Sequence, residues 1–317
     1  MLSADAISVP TLVQSEGVLT VGNFDGVHLG HRRMIDQLVA LARELGTRTV
    51  AVTFDPPPLA VLAPGRMPPQ LTTLPQKVEL LKAVGVDEVV VLATTRELLA
   101  LSAEQFFEDV LVGQLGCRGI VEGPNFRFGK GRTGDIALLQ QLCAQHQLPI
   151  SIVEAREVDG AMVSSSEVRT ALGAGNVAKA RSLLGRPYSI SGSVAHGAQR
   201  GRLLGFPTAN LEGIETLLPP TGVYAGRSIV DGVNYPVALN IGPNPTFGED
   251  RPKIEAHLVG YAGDLYSQTV TIDLLDSLRG IVKFPNVEAL RTQLQHDIAA
   301  AVICASSEPL GDQLKAS

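Results

Sequence analysis

The period of the apolar positions changes once along the chain. In the first half, short apolar runs alternate with stretches whose apolar residues recur every three or four positions. Residues 18–21 read as a buried strand running into a glycine-rich turn, and Met34, Leu38, Leu41 and Ala42 mark one face of the helix that follows. Gly46 ends that helix, and residues 49–54 form the next strand, stopped by Pro56, Pro57 and Pro58. The same alternation predicts helices at 75–82, 105–111 and 136–146, and strands at 88–92, 119–122 and 150–153. Strands and helices in turn predict an α/β domain with a doubly wound parallel sheet.

Beyond Gly185, Arg186 and Pro187 the period falls to two. Residues 227–230 and 233–235 flank Asp231-Gly232, a strong hairpin turn, and residues 254–258 and 270–274 alternate cleanly. This half predicts an antiparallel Greek-key β-barrel. A terminal helix follows, with Asn286 as N-cap and Leu290, Leu294 and Ile298 as its apolar stripe; the tail beyond Ser306 is expected to fray. The expected domains are therefore 1–185 and 186–317.

Composition agrees. At about 100–200 residues per domain, 317 residues allow two, and 45% apolar with 18% charged residues describes a folded chain. The longest apolar run, 298–305, falls far short of the ~18 residues of a membrane span. A net charge of −6 argues against a general nucleic-acid binder. Cys117, Cys143 and Cys304 are odd in number and widely spaced, so neither a disulfide framework nor a zinc knuckle is expected. The first residues lack the pattern of a signal peptide, and the expected location is cytoplasmic.

Two stretches carry chemistry. Gly22, Asn23, Phe24, Asp25, Gly26, Val27, His28, Leu29, Gly30 and His31 lie between the first strand and first helix. Ligands of open α/β sheets bind at the carboxyl ends of strands, and a helix N-terminus offers free N–H groups to phosphate. Beside a triphosphate, His28 and His31 are expected to be driven toward their charged form. An isolated HxxH is equally a surface pair; the preceding strand and the glycines favour a site. Gly129, Gly131 and Gly134 formally spell GxGxxG, but mid-domain, away from the strand-to-helix turn that a dinucleotide fingerprint needs.

These residues, with three further motifs, resemble the bifunctional riboflavin kinase/FMN adenylyltransferase (FAD synthetase) family. Thr53-Phe54-Asp55-Pro56 resembles its T-F-[DE]-P turn, Asn125-Phe126-Arg127-Phe128-Gly129 its flavin- and nucleotide-contacting loop, and Ser164-Ser165-Ser166-Glu167-Val168-Arg169 its S-S-[ST]-x-[IV]-R motif. The resemblance implies an HxGH nucleotidyltransferase domain, Rossmann-like, at 1–185. There His28, His31, Asn125 and Arg169 serve catalysis. Gly22, Asn23, Phe24, Asp25, Gly30, Ser164, Ser165 and Ser166 bind ATP, and Phe54, Asp55, Phe126 and Phe128 contact flavin. By themselves the serines read as a helix cap, and at least one of the two loop phenylalanines as core.

In the second half Gly201-Arg202-Leu203-Leu204-Gly205-Phe206-Pro207-Thr208-Ala209-Asn210 resembles the riboflavin kinase signature. The resemblance implies phosphate binding by Gly201, Arg202, Gly205, Phe206 and Pro207, and Mg²⁺ held by Thr208 and Asn210, hard oxygen donors two residues apart. Asn240-Ile241-Gly242-Pro243-Asn244-Pro245-Thr246-Phe247 resembles a further family segment and makes Asn240 a flavin contact. Along 254–258, alternation turns Ile254, Ala256 and Leu258 to the core and Glu255 and His257 away from it. Only the resemblance makes Glu255 the general base for the ribityl hydroxyl; His257 reads as structural, and Gly222-Val223-Tyr224-Ala225 as packing. Two departures stand out: Pro57 where the family often has histidine, and Ile281 where it often has an acid, which predicts a lost ion pair or weakened flavin positioning.

The activity so implied uses riboflavin, FMN and ATP, without nucleic acid or membrane, and leaves self-association open. The alternatives at this point are a monofunctional FMN adenylyltransferase with an impaired kinase half, and a non-enzymatic flavin-binding regulator.

Overall fold

A computed structural model of the protein describes residues 16–154, 156–158, 160–196, 205–244 and 249–307. They divide into two compact units at Val163/Ser164.

The first unit is built on a five-stranded parallel sheet, β1 (Gly17–Val21), β2 (Arg48–Asp55), β3 (Glu88–Ala93), β4 (Cys117–Glu122) and β5 (Ile150–Ile152), in the order β3-β2-β1-β4-β5. Alternate residues of each strand face opposite layers. On one face Val18, Ala51 and Val121 pack with Ile35, Leu38 and Ala42 of α1 (Leu29–Leu45). Short helix α2 (Pro58–Leu62) comes next, then α3 (Leu74–Ala83), whose Leu81 joins the same cluster. After α4 (Arg96–Ala100) and α5 (Ala103–Gln105), Phe106, Phe107, Val110 and Leu111 pack on the other face against Leu19, Val52 and Ile120, with Leu139 of α6 (Ile136–Gln145). Fully burying each such side chain is worth about 1.5–3 kcal/mol. The helix expected at 105–111 is a π-helix over Phe106–Gln114. Its i+5 bonding widens the turn, and the three-and-four spacing of apolar residues does not distinguish that from α. A two-residue hairpin, β6 (Glu157–Val158) with β7 (Ala161–Met162), completes the unit.

The second unit starts with α7 (Ser165–Gly173) and α8 (Val177–Leu184), which pack on each other. β8 (Tyr188–Ala195), β9 (Ala209–Glu212), β10 (Gly222–Val230), β11 (Val233–Asn244), β12 (Glu249–Leu258) and β13 (Thr269–Arg279) close into an antiparallel barrel, β10-β11-β12-β9-β8-β13. With β13 beside β10, strands β10 to β13 follow the Greek-key order. Asp231 and Gly232 both take positive φ, +50° and +77°, as the hairpin turn requires. Tyr224 is buried and its hydroxyl donates to the Pro220 carbonyl at 2.7 Å, a packing role.

Helix α9 (Val287–Ser306) packs on β10, β11 and β13, with Asn286 accepting from Ala289 N–H at 2.8 Å as the expected cap. Its stripe is a correction. Leu290, Leu294 and Ile298 are half-buried, and the deepest positions are Asp297, Ala301 and Ala305. Small residues bring the helix close to the barrel, and Asp297 reaches Arg279 of β13 through contacts of 2.7–3.1 Å. Arg279 thus has its carboxylate partner on α9. Ile281 instead packs over Gly242, whose φ is +141°. The tail expected to fray lies, from 308 on, outside the described residues.

Candidate functional site

Sheet order reverses between β1 and β4, which places a crevice at their carboxyl ends. The 22–31 loop occupies it. Phe24 and Val27 both lie in the left-handed region, φ 44° and 41°, which is costly for a β-branched residue and persists only where neighbours enforce it. Asp25 supplies that enforcement. Its buried carboxylate accepts from Leu71 N–H at 2.9 and 3.1 Å, Thr72 N–H at 3.1 Å and Thr72 Oγ1 at 3.2 Å, while Gly26 N–H donates to Thr72 Oγ1.

His28 is the N-cap of α1. Its Nδ1 accepts from His31 N–H at 3.3 Å, so the neutral ring carries its proton on Nε2. The two imidazoles stack at 3.6 Å, and Phe24 meets His31 edge-on at 5.2 Å. Gly30 lies under the His28 ring: a Cβ there would sit 3.1 Å from Nδ1. Burial lowers the His28 pKa to about 4 and holds His31 well below its ordinary value, with His28 and Lys77 adding to the effect. Without ligand, then, both rings are neutral, and their stacking is that of two uncharged rings. His31 keeps part of its surface exposed, but its Nδ1 is buried without a hydrogen-bond partner among the described residues.

Three groups of this unit carry no motif. Lys77 on α3 is only 3% exposed and lies beside Asp25, Asp55 and His31. A lysine four residues before Leu81 on an apolar face was the available sequence signal. Glu122 ends β4 with its side chain buried; Oε1 accepts from Val21 N–H at 2.6 Å, and burial pushes its pKa well up. Thr20 Oγ1, also buried, has no hydrogen-bond partner among the described residues.

Around the crevice, Gly22 is half-buried and its N–H donates to Val52 O at 2.9 Å; Asn23, Asp55 and Asn125 are exposed. Phe54 and Phe126 are half-buried against the core, whereas Phe128 is inside it. Phe126 and Phe128 stack at 5.4 Å, so the buried ring presents the partly exposed one. Gly129 belongs to close packing: a Cβ there would lie 2.5 Å from the Ala103 backbone. Ser164 lies in the second unit, where its Oγ caps α7 by accepting from Glu167 N–H at 3.2 Å. Ser165 and Arg169 are half-buried on the first turns of that helix, and Ser166 is exposed.

In the barrel, strand register assembles the site. Asn240 of β11 pairs with Glu255 of β12, and Glu255 with Asn210 of β9. Directly paired residues share a face, so these side chains form one half-buried row. The neighbouring row, Leu239, Ala256 and Ala209, turns inward, and Ala256 and Leu258 are buried as the alternation predicts. A cavity of about 530 Å³ opens among Pro207, Thr208, Ala209, Ala256, Tyr261 and Tyr266. Thr208 and Ala209 both line this cavity, and Asn210, two residues beyond Thr208, stands in the row with Glu255. His257 fixes the approach: its Nδ1 lies 2.7 Å from Pro207 O and its ring meets Phe206 edge-on at 6.0 Å. Gly205 is exposed with φ +88°. Gly201, Arg202 and residues 245–248 lie outside the described residues, as does the Asn244 side chain. Among the described residues, no group of three or more His, Cys, Asp or Glu is placed to hold a metal, and no helix is long and apolar enough to cross a membrane.

Comparison with known proteins follows the same division. Residues 11–167 match the FAD synthetase family and residues 184–304 the riboflavin kinase family. Three curated relatives, each described as a bifunctional riboflavin kinase/FMN adenylyltransferase, resemble nearly the whole chain. The Pseudomonas fluorescens protein is 39% identical over 90% of this chain and 91% of its own, and that of Escherichia coli K12 is 38% identical over 88% and 90%. The Bacillus subtilis 168 protein is 35% identical over 91% and 92%. A solved structure described as a macrolide-efflux protein from Streptococcus pneumoniae superposes with a TM-score of 0.81 at 29% identity, covering 92% of this chain and 95% of that one.

Proposed function

From the fact that this chain belongs to the bifunctional riboflavin kinase/FMN adenylyltransferase family, we infer which residues carry each of its two reactions. The enzyme phosphorylates riboflavin to FMN with ATP, then transfers AMP from a second ATP to FMN, giving FAD and pyrophosphate. We assign adenylyl transfer to residues 1–185 and the kinase reaction to residues 186–317.

In the first half, the FMN phosphate attacks the α-phosphorus of ATP and pyrophosphate leaves. His28 Nε2–H and the first N–H groups of α1 meet the phosphates, and His31 stands behind His28. As the triphosphate arrives, its charge favours proton uptake by the rings. Asn23 and Asn125 contact ATP at the rim, with Gly22 and Gly30 admitting it; Phe54, Asp55 and Phe126 meet the flavin. Phe24 and Asp25 shape the loop, and Phe128 backs Phe126.

In the second half, Glu255 takes the proton of the ribityl hydroxyl as it attacks the γ-phosphate, and Asn240, its neighbour on β11, orients the flavin. Gly201, Arg202, Gly205, Phe206 and Pro207 bind the nucleotide, which fills the cavity beside Thr208. The donor set suits a hard cation: Thr208 and Asn210 offer neutral oxygens and Glu255, opposite Asn210, a carboxylate. Magnesium bound there by Thr208 and Asn210 would neutralise phosphate charge. We place the enzyme in the cytoplasm, in keeping with three free thiols, two of them buried.

The observation that carries this reading is the presence of two distinct constellations, the His28/His31 stack and the Asn240–Glu255–Asn210 row, one in each unit. Incubation with riboflavin and Mg-ATP, with FMN and FAD resolved chromatographically, is expected to give both products. FMN supplied directly is expected to give FAD alone. FAD from riboflavin without any FMN-forming activity would exclude the kinase assignment.

A further inference from the structure

Two neutral imidazoles make a poor receptor for a triphosphate, and the fold buries a cation whose charge reaches His31. Among the described residues of the first unit, Lys77 is the buried lysine or arginine. Burying an ammonium costs several kcal/mol unless it is compensated, and a leucine or methionine would fill the same face of α3 without that cost. Asp25 does not need Lys77, since its carboxylate is occupied by the Leu71 and Thr72 donors. Those bonds do something else: they dock the chain entering α3 against the 22–31 loop. Thr73 then caps α3, and the capping box with Gln76 fixes its first turn. Lys77 on the next turn is delivered beside His31, with Asp25 and Asp55 nearby to keep it charged. The buried His31 Nδ1, without a hydrogen-bond partner among the described residues, marks the same spot as one prepared for a further polar atom.

We propose that Lys77 is an electrostatic positioning residue of adenylyl transfer: buried on α3 beside His31, it provides the standing positive charge that draws the triphosphate of ATP onto the His28/His31 face. It acts across His31 through a poorly screened interior, where a unit charge reaches further than in water. Its second effect is on the rings themselves: a fixed cation next to His31 discourages early protonation, so the pair takes up charge when the phosphates bring theirs. Asp25, Asp55, His28 and His31 are the titratable groups that face it. The inference rests on the His28/His31 pocket being the adenylyl-transfer site.

The test uses the full-length enzyme with FMN and ATP as substrates. Lys77→Met keeps the apolar stem and removes the charge; Lys77→Arg keeps the charge. For Lys77→Met we expect KM for ATP in FAD formation to rise about tenfold or more, as for loss of one partly desolvated charge interaction. KM for FMN and riboflavin phosphorylation should stay unchanged, and Lys77→Arg should recover much of the loss. Ring ¹⁵N resonances should show His31 titrating closer to the ordinary imidazole range in Lys77→Met. A Lys77→Met enzyme with unchanged KM for ATP overturns the inference. So does a loss of kcat that accompanies a lowered Tm and is not rescued by arginine, which would make Lys77 a packing residue. His28→Asn separates the two levels. If it still makes FAD, the pocket assignment itself fails; if it does not, while Lys77→Met behaves as wild type, only the role of Lys77 fails.

Discussion

His28 is buried and His31 half-buried where the 22–31 loop meets α1 at the sheet's carboxyl edge, whereas Asn240, Glu255 and Asn210 form a row that the barrel leaves half exposed. The parallel sheet concentrates its chemistry at strand ends, where one contiguous loop supplies backbone N–H groups, a cap and both rings. The barrel has no such end, so it recruits one residue from each of three strands and relies on register to align them. Burial tunes the imidazoles of the first site, whereas strand register aligns the polar groups of the second.

The largest expected effects test whether the two constellations are independent. Glu255→Gln is isosteric and keeps the row, so FMN formation should fall by ~10²–10⁴, the usual worth of a general base, while FAD formation from supplied FMN continues. His28→Asn keeps a good N-cap for α1 and should lower FAD formation by ~10²–10³, in the range of a lost phosphate-facing donor, with riboflavin phosphorylation intact. Parallel assays of both products check this. Either variant losing both activities while folded would break the division.

A smaller effect contrasts how the halves are held together. Asp297 is 4% exposed, takes Arg279 through three contacts, and accepts from Gln293 at 2.9 Å, with Phe284 under the guanidinium at 5.6 Å. Asp297→Ala leaves that cation partly buried and unpaired, which should cost the barrel about 3–5 kcal/mol in denaturant unfolding. In the first half, Arg48–Glu88 is solvent-exposed, and removing it should cost less than about 1 kcal/mol. Equal losses would mean that α9 is not the barrel's lock.

The loop at 22–31 was legible because it is local: a strand, glycines, two histidines three apart and a helix are all written within fifteen residues of chain. Both architectures were legible for the same reason, since period and turn residues are local properties. Four features were not. The row Asn240–Glu255–Asn210 depends on register between strands far apart in sequence, and no single segment states which asparagine faces which glutamate. Lys77 and Glu122 interrupt apolar patterns, and what they face is decided by tertiary contacts. The partner of Arg279 was hidden too, because its carboxylate comes from α9, eighteen residues on. The π-helix at Phe106–Gln114 hid behind a spacing that also fits α.

The remaining contrast is a difference in acid sensitivity. His28 takes its proton near its ordinary value of 6.5 when unfolded, but near 4 when folded, because burial disfavours the cation. Between those values the unfolded chain binds a proton that the folded chain refuses. Its contribution to stability is therefore complete above about pH 6.5 and is lost as the pH falls toward 4, by about 3 kcal/mol in all. His31 acts in the same direction. Glu122 acts in the opposite one: its raised pKa makes the folded state hold a proton that the unfolded chain releases, so its contribution is greatest below the ordinary carboxyl range and declines as the pH rises. In the window from 6.5 to 4 the two effects oppose each other, and exchanging His28 isolates its share. All five tyrosines lie in the barrel half, at 188, 224, 235, 261 and 266, so tyrosine fluorescence follows that half while the His31 ring resonance follows the other. Urea unfolding at pH 7, 6 and 5 should show the first half weakening with acid, and His28→Asn should flatten that slope without altering the barrel transition. An unchanged slope in His28→Asn would mean that the ring is hydrated in solution and that the burial of His28, the premise of the contrast between the halves, is lost without ligand.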